Sequence, residues 1–389
     1  MASRAKAAVI GAGPAALAAA RRLIQHDDVG VTLIAPGGSA DLLAGVLPVL
    51  TSDRPVDDFR RPVSIDGVQV VAAPAESIRA NGVQVEGQWM DVDVVIAAPG
   101  LALDHPVPAS ASTTSAGTTS AGSSSGHAMF SLWDLDGAHA AAPAVAAFER
   151  GVIDIVISSP LYRCPPAPYG LAMRLATRAT SLGLDLQVRL STPEPRPLAA
   201  IGSGVSEFLD SAARSSGVEI RYEWAPDIEA MRQGRLVSVG GEESESGLVL
   251  VIPPHHVHPL LADLVDPTVG FGQLVPVDAN GCAANGVFVA GDAVASPFPR
   301  ASAPAVMSGL NAAEGALARL GIDVLPTASL PEPDCFVDRG SGDYSRIHIS
   351  YPDGAPPAGA PHVVIGEATP AATGGFDDAR QRWAELAGD

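Results

Sequence analysis

Ala7-Ala8-Val9-Ile10-Gly11-Ala12-Gly13-Pro14-Ala15-Ala16 decides the fold. Four apolar residues read as a buried strand, two glycines as a tight turn, and the alanine-rich run to Gln25 as a helix. Pro14 stands at the first helical position, where its missing N–H is not needed. The turn fits G-x-G-x-x-G/A. In that pattern the first glycine permits the turn and the second lets backbone approach a pyrophosphate. The helix N-terminus adds unpaired N–H groups that favour negative charge. Gly11, Gly13, Pro14 and Ala15 are therefore candidate nucleotide-binding residues. Val31–Ile34 supplies the next strand and completes a βαβ unit. The acidic residue that normally closes this strand and holds a ribose is absent: the position reads Ile34-Ala35-Pro36, which places Ala35 at the ribose without a carboxylate.

Further along, strands are expected at Val68–Val71, Gly82–Val85 and Val92–Ala97, the last running into Pro99-Gly100 beside the nucleotide. A matching second half comes much later. Val287–Ala290 reads as a strand ending in Gly291-Asp292, followed by a helix from about Ala303 to Leu320. Asp292 is placed to accept hydrogen bonds from the ribityl chain of a flavin. A helix starting at Ala303 would aim its positive end at the pyrimidine edge of the ring. The pattern predicts an α/β protein with a discontinuous FAD-binding domain, residues 1–107 plus 271–320. A second Rossmann-like domain is expected over 127–270, and a small α+β region over 321–389. Residues 108–126, PASASTTSAGTTSAGSSSG, cannot build a core and read as a flexible insertion. In the second domain a helix is expected over Ala140–Arg150, then a strand, Ile153–Ile157. That strand leads into Ser158-Ser159-Pro160-Leu161-Tyr162, where proline removes N–H donors, so NAD(P)H binding is not expected there.

Composition narrows the partners. The chain has 389 residues, 47% hydrophobic and 17% charged, with a net charge of −19. That charge disfavours nucleic acid and anionic membranes as partners, since both are polyanions. No apolar run reaches the roughly 18 residues of a membrane-spanning helix. The first apolar stretch is already the first strand, so a cytoplasmic protein is expected. Its three cysteines do not suggest a structural disulfide framework. Cys164 sits in Tyr162-Arg163-Cys164-Pro165-Pro166-Ala167-Pro168-Tyr169, Cys335 in Asp334-Cys335-Phe336, and Cys282 in a turn. Taken alone, each thiol is either a small buried apolar group or a redox group. His255, His256 and His258 lie beside prolines and are not expected to bind metal.

Together, Tyr162–Tyr169, Ile252-Pro253-Pro254, Val275-Pro276-Val277-Asp278, Gly291-Asp292-Ala293 and the loop Ser296–Arg300 resemble the flavoprotein subunit of flavocytochrome c sulfide dehydrogenase. That family is related to the sulfide:quinone oxidoreductases, flavoproteins of the pyridine nucleotide-disulfide oxidoreductase type. The resemblance implies two nucleotide-fold domains, an FAD, and a redox-active pair that maps onto Cys164 and Cys335. Residues 36–50 hold no cysteine, and Leu43 falls near the family's attachment point, so the implied FAD is non-covalent. The family's carboxylate after the second tyrosine is replaced by Gly170, and Arg300 stands where lysine is usual. The resemblance thus implies an enzyme oxidising sulfide, persulfide or a small thiol. A disulfide between Cys164 and Cys335 would exchange with the sulfur compound, Arg163 and Arg300 would favour the thiolate, and electrons would leave through the flavin to a cytochrome, a quinone or a small-molecule acceptor. A sulfur-transfer flavoprotein and a flavin-free binding subunit are the alternatives.

Overall fold

The computed structural model describes residues 4–107, 128–269, 273–324, 330–340 and 342–388; the insertion expected at 108–126 lies outside them. β1 (Ala5–Ile10) runs into Gly11, α1 (Pro14–Leu23) returns the chain, and β2 (Val29–Ile34) pairs parallel with β1. β3 (Val68–Val71) and β4 (Val94–Ala97) follow, separated by a three-stranded antiparallel meander between Ala75 and Asp91.

The second domain contributes β5 (Ala128–Ser131), α2 (Leu135–Ala147), β6 (Arg150–Ile157) and α3 (Ala167–Leu182). β7 (Asp185–Ser191), α4 (Ser203–Ser215), β8 (Glu219–Arg221) and β9 (Leu248–Ile252) complete it. Its strands form one parallel sheet in the order β5-β9-β6-β7-β8. The chain then returns through β10 (Phe288–Val289) and α5 (Ser302–Arg319). This completes the first sheet as β10-β4-β1-β2-β3, also parallel throughout. β11 (Asp334–Asp338), β12 (Tyr344–Ser350) and β13 (His362–Ile365) make a small antiparallel sheet, and α6 (Pro370–Ala387) ends the described chain. The expected class, two Rossmann-like units and a C-terminal α+β region, is the architecture found.

Strand periodicity explains the layering. Along β1, Ala7 and Val9 join one core cluster while Ala8 and Ile10 join another. β4 divides the same way, with Val94 and Ile96 against Val95 and Ala97. Successive side chains leave opposite faces of a strand, so both faces of the first sheet are covered. In the second sheet Asp154 occupies a fully buried position on β6. Arg189 lies 2.7 Å and Arg221 3.1 Å from its carboxylate, and Ser191, Ser244 and Ser246 donate to it. A buried charge needs this full set of partners.

Two expected boundaries shift. The helix expected over Ala140–Arg150 starts at Leu135, because Asp134 caps it by accepting from the Gly137 N–H at 2.6 Å, and Arg150 instead opens β6. The strand expected over Val287–Ala290 pairs only at Phe288 and Val289.

Candidate cofactor and thiol site

A cavity of about 620 Å³ opens at the carboxyl ends of the first sheet, where α/β proteins hold their ligands. Gly11, Gly13, Pro14 and Ala15 line it from one side, Pro99 and Gly100 from another, and Gly291, Asp292 and Arg300 from a third. Cys164 and Arg163, both from the loop after β6, line it as well. Of the other sequence-derived candidates, Ala35 is fully buried and does not line the cavity. Ala303 does not line it either, although Ala301, Ser302 and Ala305 at the start of α5 do.

Backbone geometry shows why glycines stand here. Gly11 has φ +109°, and a Cβ on it would meet the Ala98 carbonyl oxygen at 2.2 Å. Gly13 precedes α1, and a Cβ there would have no atom within 4 Å. Bare backbone thus faces the cavity at the helix N-terminus, the cradle a diphosphate requires. α1 is held in place by α5: a Cβ on Gly309 would meet the Ala15 carbonyl oxygen at 2.1 Å.

The cysteine loop occupies the turn after β6, where a second dinucleotide domain would carry its glycines. Cys164 has φ +55°, a left-handed conformation that costs a residue with a Cβ about 1 kcal/mol. Neighbouring groups hold it there. The Cys164 N–H donates to the Arg300 carbonyl at 2.9 Å, tying the loop to the segment before α5. The Trp133 indole N–H donates to the Arg163 carbonyl at 2.7 Å, and the Arg163 guanidinium donates back to the Trp133 carbonyl at 3.1 Å. The buried Tyr162 hydroxyl donates to Glu194 at 3.0 Å. α3 begins directly after the loop, and its Gly170 packs on β11: a Cβ there would lie 3.3 Å from the Asp338 nitrogen. β11 carries Cys335, so this packing sets the strand of the second thiol against the helix that follows the first.

Both thiols are free in the structure, so the disulfide expected from the resemblance is not formed in it. Burial pushes the Cys164 thiol up to about 11; Asp292 adds to the rise and Arg163 opposes it. Burial pushes Cys335 up to about 12, and the charge of nearby Cys164 adds to it. Only Cys164 lines the cavity. Burial also raises the Asp292 carboxyl, against Arg163 and Arg300, and lowers both arginines. One carboxylate, two guanidiniums and a thiol, all desolvated, thus line the cavity together.

Several lining residues carry no local signal along the chain. Asp41 and Arg60 face each other in register on the short strands Ser39–Asp41 and Arg60–Pro62. Arg60 contacts Asp41 at 2.7 Å and Asp136 of the second domain at 2.9 Å, and all three line the cavity. His258 lines it too, after a loop in which His255 is buried. Burial first, then Arg163, pushes His255 down to about 3, and its Nδ1 bonds the Pro253 carbonyl at 2.8 Å. Among the described residues no cluster of three or more His, Cys, Asp or Glu could hold a metal. No described helix is long and apolar enough to cross a membrane.

No family model and no curated protein sequence matches the chain. Solved structures do. Sulfide:quinone oxidoreductase from Aquifex aeolicus superposes with a TM-score of 0.72 at 16% identity, covering 97% of this chain and 90% of that one. An NAD-dependent persulfide reductase from A. fulgidus gives 0.60 at 16% identity, covering 97% and 77%. The water-forming NADH oxidase from Lactobacillus brevis gives 0.58 at 15%, covering 89% and 75%. The chain has the fold of the pyridine nucleotide-disulfide oxidoreductase-type flavoproteins. Within that fold it is similar to a sulfide:quinone oxidoreductase over almost its whole length.

Proposed function

We propose that this chain is an FAD-dependent oxidoreductase that oxidises sulfide, a persulfide or a small thiol through Cys164 and Cys335. One observation carries the reading: a single cavity is lined both by the Gly11–Ala15 turn and by Cys164, and the helix that follows Cys164 packs on the strand that carries Cys335. The residues present fit FAD. Gly11, Gly13, Pro14 and Ala15 would hold its diphosphate, Pro99 and Gly100 would pack beside it, and Asp292 would accept from the ribityl hydroxyls. Bound non-covalently, FAD supplies a two-electron acceptor.

The chain's own groups do the sulfur chemistry. In the oxidised pair, hydrosulfide attacks one cysteine sulfur, a persulfide forms there, and the other cysteine leaves as a thiolate. The better leaving thiolate is the one stabilised by a neighbouring cation, which is Cys164 beside Arg163. Attack therefore falls on Cys335, and the negative charge appears on the sulfur facing the cavity. A second thiolate then removes the outer sulfur and frees Cys335. The reduced pair would return to the disulfide by losing two electrons, which bound FAD would accept, and any proton taken up by a thiolate in the meantime would pass to solvent. Onward transfer is to a quinone, a cytochrome or a small-molecule acceptor.

The test is optical. Purified protein should be yellow, and anaerobic sulfide should bleach it. Cys164→Ser and Cys335→Ser should each abolish bleaching while retaining flavin. Normal bleaching in both variants would defeat the thiol mechanism, and a colourless protein that binds no added FAD would defeat the enzyme reading.

A further inference from the structure

In a dinucleotide-binding domain the ligand lies over the carboxyl ends of the first two strands, between the turn after the first and an acidic residue after the second. The second sheet has both places. β6 and β7 are parallel neighbours that end together, with Val156 opposite Ser191. The turn after β6 holds Tyr162 and Cys164, and Glu194 stands three positions beyond β7. In this chain the two places are joined to each other. The buried Tyr162 hydroxyl donates to the Glu194 carboxylate at 3.0 Å. The Thr192 hydroxyl donates to the same oxygen at 3.4 Å, and the Leu198 N–H donates to the carboxylate as well. The Glu223 N–H donates to the Glu194 carbonyl at 3.1 Å, which ties the residue to the segment after β8. The Tyr162 hydroxyl also lies 3.3 Å from the Pro165 carbonyl. Tyr162 and Pro165 flank Arg163 and Cys164, so one buried hydroxyl spans the residue held at φ +55°.

We propose that this crevice supports the thiol loop instead of a nucleotide: Glu194, acting through the Tyr162 hydroxyl, is a positioning residue that holds Cys164 in the conformation from which it bonds Cys335. A left-handed residue with a Cβ relaxes unless its surroundings fix it. A hydrogen bond to a carboxylate is stronger than one between neutral groups, and its loss inside the protein is costly. The Arg300 carbonyl and the Trp133 indole hold the backbone at Cys164 and Arg163; Tyr162 and Glu194 hold the loop from the side of the second sheet. This rests on the thiol reading above, since the loop is the same one.

The test is the reduction potential of the Cys164–Cys335 pair in the full chain, poised by anaerobic mixtures of reduced and oxidised dithiothreitol. After acid quenching and alkylation, mass spectrometry counts the two residues as thiols or as a disulfide. Tyr162→Phe keeps the ring and removes the hydroxyl, and Glu194→Ala removes the acceptor. Each should disfavour the disulfide about tenfold or more, a rise of about 30 mV in a two-electron potential. Glu194→Gln keeps an acceptor for Tyr162 and should stay within about threefold of the parent. Parent values in both Tyr162→Phe and Glu194→Ala would overturn the assignment. So would a Glu194→Gln chain as impaired as Glu194→Ala, because the hydrogen bond would then not be the cause. If Glu194→Ala does not fold, Tyr162→Phe decides alone, a shifted potential supporting the assignment and the parent potential overturning it. A parent chain in which the two cysteines never join each other would instead overturn the thiol reading itself.

Discussion

The two thiols differ from free cysteine by what surrounds them, and this sets a pH signature. Each stays protonated in the folded chain well above the usual thiol range, to about 11 and about 12. Alkylation of the reduced protein, in a Cys282→Ser background, should therefore stay slow through pH 9 and rise only as pH approaches 11. Fast reaction at pH 8 would show that the pair is not desolvated. The sign for stability follows from linkage: unfolded thiols ionise first, so stability from this pair is intact below pH 9 and is lost as pH rises toward 11. His255 works in the opposite sense. Its folded value lies near 3, far below the ordinary 6.5, so neutral His255 contributes stability above pH 6.5 that is lost as pH falls toward 3. His255→Gln should flatten the fall in urea-unfolding stability between pH 7 and pH 4, and an unchanged slope would show that other groups control acid lability.

At the scale of elements, close backbone approach positions the site. Gly309 lets α5 touch α1, and the neighbour a Cβ would meet is backbone, which cannot step aside. Gly309→Ala should destabilise the chain by about 1–3 kcal/mol and weaken flavin retention, because α1 carries the turn at its N-terminus. Urea unfolding and flavin content check both. Gly170 has the same role between α3 and β11. The carboxylate that the resemblance expects there would have to fit against Asp338 and Leu47. Gly170→Glu should push β11 outward and slow disulfide formation between Cys164 and Cys335 under mild oxidant, measured by loss of free thiols. An unchanged rate would show that β11 does not set the thiol separation.

The whole molecule is tied together by contacts between segments that are remote in sequence. Arg21 at the end of α1 donates to the carbonyls of Leu386, at 2.8 Å, and of Glu385, in the last turn of α6. A cation at a helix C-terminus also meets the negative end of its dipole. Ala387 accepts from the Ser64 N–H at 2.9 Å, and Trp383 is buried. Removing residues 370–389 should therefore lower the melting temperature of the first domain by several degrees. A truncated chain that melts like the parent would make α6 dispensable to the fold.

Much of the architecture was legible because its signals are local. Gly11-Ala12-Gly13 after four apolar residues, and Gly291-Asp292 after Phe288-Val289, announce two strand ends through residues in immediate sequence contact. Short polar signals were missed where a single side chain sets the boundary, as Asp134 does for α2. Asp41, Arg60 and Asp136 could not be found from sequence: each is an ordinary surface charge until the sheet edge of one domain and the helix start of the other share a cavity wall. The sequence by itself determined the two parallel sheets, the glycine turn and the candidacy of Cys164 and Cys335, since period-two burial and positive-φ turns depend on neighbours along the chain. Only the tertiary structure decided that Cys164 lines the cavity and that the strand carrying Cys335 packs on α3, because both are contacts between segments far apart in the chain.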